Sequence, residues 1–428
     1  MSISSVKGFR DGLGPAACLS HEIEGAATGV LDAYGFSEIR LPILERTDLF
    51  ARAIGETTDI VEKEMYTFED RDGTLITLRP EGTASVVRAF VEHHLDQKDP
   101  ITRLYYSGPM FRHERPQKGR HRQFYQVGAE LFGREDPLAD AEVLACASDI
   151  LTAVGIPDAR LLVNSLGDNA CRPAYRDVLQ AWSIERRDRL CKNCARRVDK
   201  NPLRLLDCKD PACRETTADA PLLKDHLCEP CETHFSRVCA LLDSLGVSYM
   251  LEPRLVRGLD YYVRTTFEIT AEGLGSQTAV GAGGRYDGLV AQLGGPKMSG
   301  IGFAFGVERL ALALEAAQPG AEEKAGETLR PDVFIASLGV DSEEDALSIA
   351  RRLRREGIRV ELDGGRSLKS LMRRADRLGA PRVLILGEEE VAARRGTLRN
   401  MVEKRDEKLA VDFDLDGEAL LIAMGVER

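Results

Sequence analysis

The sequence predicts a chain in two parts: a large α+β unit over residues 1–320, with a cysteine-rich helical stretch at about 170–240, and a smaller α/β unit over 331–428. Three observations predict it. Residues 1–170 mix helical patterns with β-rich runs such as TLITLRP (74–80) and ITRLYYSGPMF (101–111). From about 170 to 240 the pattern turns helical and most of the ten cysteines gather there, from Cys171 to Cys239, before β-type runs return over 245–315, among them YYVRTTFEIT (261–270). After a Pro/Gly/charge-rich linker, AAQPGAEEKAGETLRPD (316–332), strands and helices alternate.

That alternation justifies the second unit element by element. DVFIASLG reads as a strand, SEEDALSIARRLRREG as a helix, IRVELD as a strand, SLKSLMRRADRLG as a helix and PRVLILG as a strand. Strand–helix–strand repeats with short turns imply a parallel sheet. The whole chain is ordinary globular material, 43% hydrophobic and 30% charged over 428 residues. No apolar run approaches the ~18–20 residues that span a bilayer, so no membrane partner is expected. MSISSVKGFRDG lacks the apolar stretch of a secretory signal, which places the chain in the cytoplasm and its cysteines as thiols or metal ligands before disulfides. A net charge of −11 excludes broad, nonspecific nucleic-acid binding but not a local basic site, since exposed charges are screened beyond ~10 Å at 0.1 M salt.

Such a site is written in FRHERPQKGRHRQF (111–124), with five permanent cations (Arg112, Arg115, Lys118, Arg120, Arg122) and one carboxylate, Glu114. Residues 103–114 and 121–132 read as antiparallel strands joined by the loop Pro116–Arg120. Side chains alternate along a strand: Phe124, Gln126, Gly128, Glu130 and Phe132 share one face, while Tyr125, Val127, Ala129 and Leu131 form the core-like one. The first face either meets solvent or holds a ligand. Arg112 and Glu114 share a parity on the neighbouring strand, beside a loop holding Lys118 and Arg120, and guanidinium groups match phosphate oxygens bidentately; a nucleotide triphosphate fits. No G-x-x-x-x-G-K-[ST] loop is present, and GAGGRYDG (281–288) is not G-x-G-x-x-G. Its glycines serve either a tight turn or close backbone approach to a ligand.

The stretch GPMFRHERPQKGRHRQF (108–124) resembles motif 2 of the class II aminoacyl-tRNA synthetases, GIGFAFGVERL (300–310) motif 3, and YGFSEIRLPILE (34–45), with Pro42, motif 1. LVRGLDYY (255–262), AGGRYDGL (282–289) and RPEGT (79–83) are similar to signatures of the histidyl-tRNA synthetase family, and the likeness runs from KGFRD (7–11) to the C-terminal unit. The resemblance implies an antiparallel six-stranded catalytic sheet, a helical insertion, an anticodon-binding α/β domain and a homodimer through motif 1. It implies activation of histidine by ATP, with Mg²⁺, and transfer of histidine to the 3′ end of tRNA(His). By motif, Arg112 holds the α-phosphate, Phe124 stacks on adenine, Glu114 meets the adenine edge, Arg120 reaches the γ-phosphate and Arg309 covers the other adenine face. Glu81, Gly82, Thr83, Gln126, Glu130, Tyr261 and Tyr262 fall where the family binds histidine, and Arg257 where it contacts both α-phosphate and carboxylate. Arg112, Arg257 and Arg309 are the catalytic set. Arg115, Lys118 and Arg122 are left for acceptor-stem phosphates, Arg122 equally a solvated loop charge. The alternative from another class is a non-catalytic regulatory subunit of ATP phosphoribosyltransferase; such paralogues usually lose the catalytic arginines and the C-terminal domain.

CKNC (191–194), Cys208, Cys213 and CEPC (228–231) raise structural zinc, since two C-x-x-C pairs can form a tetrahedral thiolate site. The 33 residues between the pairs exceed the usual ribbon spacing and six thiols compete for four places, so reduced or buried thiols without metal are expected. In the second unit, Arg366, Lys369, Arg373 and Arg377, spaced 3, 4 and 4, read as one helical stripe opposite a buried side of Leu368, Leu371, Met372, Ala375 and Leu378. The stripe is either a solvated face or, as the resemblance implies, a contact for the anticodon arm; the unit is near balance, with 18 basic and 20 acidic residues.

Overall fold

The computed structural model describes residues 3–55, 58–257, 259, 261–275, 278–402 and 409–426; Gly258 and Asp260 of the LVRGLDYY run lie outside them. Two compact units emerge, residues 1–13 with 19–322 and residues 14–18 with 323–428. The stretch between them is largely helical rather than loose, with helix Ala321–Gly326 followed by a 3₁₀ turn, Glu327–Leu329. Its Ala, Glu and Lys are good helix formers.

The larger unit is built on an eight-stranded sheet in the order Ser37–Glu38, Thr102–Phe111, Gln123–Phe132, Gly300–Gly306, Ala279–Arg285, Val263–Thr270, Arg160–Ser165, Tyr249–Leu251. The expected six strands are corrected to eight. The six central ones are antiparallel throughout, and a short strand pairs in parallel with each edge. A sheet edge offers unpaired N–H and C=O groups to any adjacent backbone, and runs of two or three residues carry no periodicity to announce them. Leu44–Arg46, Leu75–Leu78 and Tyr66–Glu69 make a separate three-stranded sheet.

The hairpin pairs Met110 with Phe124 and Leu104 with Glu130. Val127, Ala129 and Leu131 are buried as the alternation requires, but Tyr125 is 39% exposed, while Glu130 and Phe132 on the other face are fully buried. Helix Thr83–Glu92 explains the second departure: its Phe90 stacks on Phe132 with ring centroids 4.5 Å apart, so this stretch of strand is covered on both sides. Helix Pro137–Val154 opens on Asp136, whose carboxylate accepts the Ala139 N–H, and stops at left-handed Gly155. Between Arg160–Ser165 and Tyr249–Leu251 the chain forms helices Arg172–Ile184, Lys192–Lys200, Pro211–Thr216 and Glu229–Leu245 with short 3₁₀ turns.

In the smaller unit the three strands read from the alternation, Val360–Gly364, Val333–Ser337 and Arg382–Leu386, pair in parallel. Arg395–Asn400 and Leu409–Asp412 extend the sheet antiparallel. Helix Leu368–Leu378 buries Leu371 and Ala375, but Leu368 is 37% exposed and Arg366 precedes the helix, so the basic stripe is Lys369, Arg373 and Arg377. No helix among the described residues is long and apolar enough to cross a membrane.

Candidate active site

Register across the central strands makes a floor of small residues. Gly128 lies opposite Ala304, Ala304 opposite Ala282, and Ala282 opposite Glu268. Over Ala304 and Ala282 opens a cleft of about 1060 Å³, counting its mouth. Gly281, Gly283 and Gly284 of GAGGRYDG therefore sit within a strand, while Gly288 lies in the turn after it, and Gly281 lines the cleft. Of the residues singled out by the sequence, Glu81, Thr83, Arg112, Glu114, Arg120, Phe124, Gln126, Arg257, Tyr261, Tyr262 and Arg309 all reach this one cleft.

Its cations are already oriented. Arg112 donates through Nε to the Pro80 carbonyl at 2.8 Å, and its guanidinium carbon lies 5.3 Å from the Phe124 ring centroid. Arg120 donates to Glu114 at 2.7 Å, and Arg257 to Glu268 at 2.8 Å. Arg309 donates to the Ala279 carbonyl; burial and then nearby Arg120 lower its pKa. A side chain fixed by the backbone need not be ordered again when an anion arrives. Arg122 is no free loop charge: it donates to the carbonyls of Glu114 and Lys7, both at 3.3 Å, while Arg115 and Lys118 are exposed.

Around Glu81 the wall is acidic and aromatic. Glu81 accepts the N–H groups of Thr83 at 2.7 Å and Ala84 at 2.9 Å, capping the start of helix Thr83–Glu92; burial raises its pKa against the pull of those bonds and of Arg112. Gly82 is not on the cleft wall but beneath it: a Cβ there would meet the Tyr106 ring at 2.2 Å. Glu130 also misses the wall. It is fully buried, accepting from Thr83 Oγ1 at 2.6 Å and from the Tyr286 hydroxyl. Burial drives its carboxyl up to about 8, Glu81 adding to the effect while the bonds from Thr83 and Tyr286 oppose it. Tyr261 and Tyr262 lie with ring centroids 4.6 Å apart, and burial raises both phenols, Tyr262 to about 12, so both are neutral donors.

Three buried polar atoms on this wall, Tyr106 Oη, Gln126 Oε1 and Arg257 Nε, have no hydrogen-bond partner among the described residues. Leaving a buried donor or acceptor unmade costs about 1–3 kcal/mol, so three in one cleft mark the place of a polar ligand.

Sequence reasoning missed Tyr106, Glu268 and Glu308 on the wall and Tyr286 beneath it. Glu308 is half-buried, accepts the Tyr125 N–H at 3.0 Å, and is raised by desolvation to about 7. Tyr286 was visible as a letter of AGGRYDGL, and Glu308 of GIGFAFGVERL. Nothing in the sequence distinguishes Tyr106 or Glu268 from other strand residues.

A family model described as histidyl-tRNA synthetase matches residues 8–310, and one described as anticodon binding domain matches 332–415. The chain is 52% identical over 413 residues to a histidine–tRNA ligase of Syntrophotalea carbinolica, covering 96% of this chain and 97% of that one. It is 53% identical over 404 residues to a histidine–tRNA ligase of Trichlorobacter lovleyi, covering 94% of each. The crystal structure of apo histidyl-tRNA synthetase from S. aureus superposes with a TM-score of 0.79 at 34% identity, covering 100% of both chains. With its motif residues gathered in one cleft and its likeness running nearly end to end, the chain belongs to the histidyl-tRNA synthetase family.

Proposed function

We propose that the cleft binds histidine and ATP, forms histidyl-adenylate with release of pyrophosphate, and then passes histidine to the 3′ end of tRNA(His). The observation that carries this reading is the set of unpartnered atoms, Tyr106 Oη, Gln126 Oε1 and Arg257 Nε. An amino acid bound as its carboxylate offers acceptors to Arg257 and an ammonium donor to Gln126. Glu81, Thr83, Tyr261 and Tyr262 complete the histidine subsite, with Gly82 admitting the Tyr106 ring. Glu130 acts from beneath through the Thr83 hydroxyl that bonds it.

ATP takes the cationic part. Phe124 stacks on adenine with Arg309 on its other face, Glu114 meets the adenine edge, Arg112 holds the α-phosphate and Arg120 the γ-phosphate. Charge develops on the α-phosphate as pyrophosphate leaves, and Arg112 and Arg257, already fixed by Pro80 and Glu268, stabilise it without solvent reorganisation. Mg²⁺ brought with ATP would neutralise charge on the outer phosphates, and Glu268, with one oxygen on Arg257, is the cleft carboxylate that would hold it.

Residues 1–320 form the catalytic domain, 170–240 its helical insertion and 331–428 the anticodon-binding domain, with the exposed Lys369, Arg373 and Arg377 toward tRNA. Homodimerisation through motif 1 is supported by the exposed Ile43 and Leu44 (43% and 44%), and by Phe68 and Leu75 on the same small sheet. The cytoplasm is the compartment in which tRNA would be met. A regulatory-subunit role finds no support, since Arg112, Arg257, Arg309 and the second unit are all present.

The test is ATP–pyrophosphate exchange with the purified protein. Exchange should depend on histidine and on no other common amino acid. Stimulation of an ATP phosphoribosyltransferase without any exchange would overturn the reading.

A further inference from the structure

We propose that Cys191, Cys194, Cys208 and Cys213 hold a structural Zn²⁺ ion. The expectation of metal-free thiols came from setting CKNC against CEPC across 33 residues. The fold pairs them otherwise. The sulfurs of Cys191, Cys194, Cys208 and Cys213 all lie within 4.8 Å of one another, while Cys228 and Cys231 gather elsewhere, with Cys171 and Asp168. The spacing becomes C-x₂-C-x₁₃-C-x₄-C, well inside the range of structural zinc sites.

Geometry and chemistry agree. Tetrahedral zinc with Zn–S of about 2.3 Å sets its sulfurs about 3.8 Å apart, and Cys191 Sγ and Cys208 Sγ stand 4.0 Å apart. A disulfide would draw two sulfurs to about 2.05 Å and leave the other two out; all four are free thiols. The Cys191 N–H donates to Cys213 Sγ at 2.9 Å, tying the first and last of the four ligands together. Four thiolates around Zn²⁺ carry a net charge of −2, and residues 186–214 hold ten basic against four acidic side chains.

The local packing gives the ion a task. The cluster's fully buried members are Cys194, Val198, Leu205 and Cys213, of which only two are aliphatic. Helix Lys192–Lys200 has nine residues, Pro211–Thr216 six and the 3₁₀ turn Pro202–Leu205 four. Helices this short do not stand alone, and so small a core calls for a cross-link. Soft thiolates in a tetrahedral set select zinc. The second gathering is left aside because Asp168 is already bonded to the Ala170 N–H and to Arg264.

Two measurements on the full chain test this. Metal analysis of protein purified without chelator should find zinc, and Cys208→Ser should lower it by about one per chain, whereas Cys228→Ser and Cys239→Ser should not. Zinc content unchanged in Cys208→Ser would overturn the assignment. Should that variant fold poorly, alkylation of the unsubstituted protein decides. Cys191 and Cys208 are half-exposed and would react at once as free thiols; as zinc ligands they should be protected until a chelator is added. Rapid alkylation of both without chelator would overturn the proposal.

Discussion

Substituting Glu130 by Gln should remove a pH dependence of stability. Glu130 is fully buried between Thr83 and Tyr286, and its carboxyl is raised from 4.5 to about 8. Between those values the native chain holds a proton that the unfolded chain has lost, so stability falls as pH rises through the window. At about 1.36 kcal/mol per unit the limiting loss is close to 5 kcal/mol; between pH 5 and pH 8, where the carboxyl is only half-ionised, it is about 3–4 kcal/mol. Gln carries no such proton, yet its amide can donate to one hydroxyl and accept from the other. The difference in unfolding free energy, parent protein minus the Glu130→Gln variant, should therefore fall by about 3–4 kcal/mol from pH 5 to pH 8. Trp182, the chain's one tryptophan, lies in the larger unit with the Arg186 guanidinium 4.2 Å from its ring, so its fluorescence in urea reports that unit. Profiles parallel to within about 0.5 kcal/mol would mean that Glu130 titrates normally and that the buried pocket does not hold its proton.

Arg257→Ala should reduce exchange by about 3–4 kcal/mol of transition-state stabilisation, a few hundredfold or more, while histidine binding weakens less; steady-state kinetics near those of the parent would show that Arg257 is misassigned. Gly302→Ala would set a Cβ 1.8 Å from Glu130 Oε2 and 2.5 Å from the Ala129 carbonyl. A destabilisation of about 1–3 kcal/mol by urea unfolding is expected, and an unchanged midpoint would contradict the packing under the cleft.

Sequence showed what local pattern can show. The cations of 111–124, the parity of Gln126 and the strand–helix alternation after 332 are properties of neighbours along the chain, and the structure uses each. Contacts between distant segments were not legible. Glu268 bonds Arg257 from 11 residues along the chain, and Arg122 is held by the Lys7 carbonyl, 115 residues away. The cysteines illustrate the same limit, since the repeated C-x-x-C texture favours one partition and the fold makes another. Glu130 shows a subtler failure. Alternation assigns it a face, but not whether water, ligand or another element covers that face.

That covering explains what AGGRYDGL contributes. Arg285 is fully buried, its guanidinium bonded to Asp140, Asp287 and the Arg134 carbonyl. Asp140 in turn meets His234 Nε2 at 2.8 Å; burial works to raise its carboxyl, but the His234 and Arg285 bonds outweigh that and hold it below the usual range. Breaking such a buried pair costs about 3–5 kcal/mol, although replacing the whole of it by apolar groups is often neutral. Raw stability is therefore a poor account of it; direction is a better one. Of the acceptors around Arg285, Asp140 fixes the end of strand Ala279–Arg285 against helix Pro137–Val154, the Arg134 carbonyl holds it to the segment just before that helix, and Asp140 ties the helix to Glu229–Leu245. The next residue is Tyr286, which donates to Glu130, and Glu130 holds the Thr83 hydroxyl on the cleft wall. The ion pair gives that strand end a directional anchor, and from the next residue the hydrogen bonds of Tyr286 and Glu130 run on to Thr83, which lines the cleft with Gln126 and Tyr106.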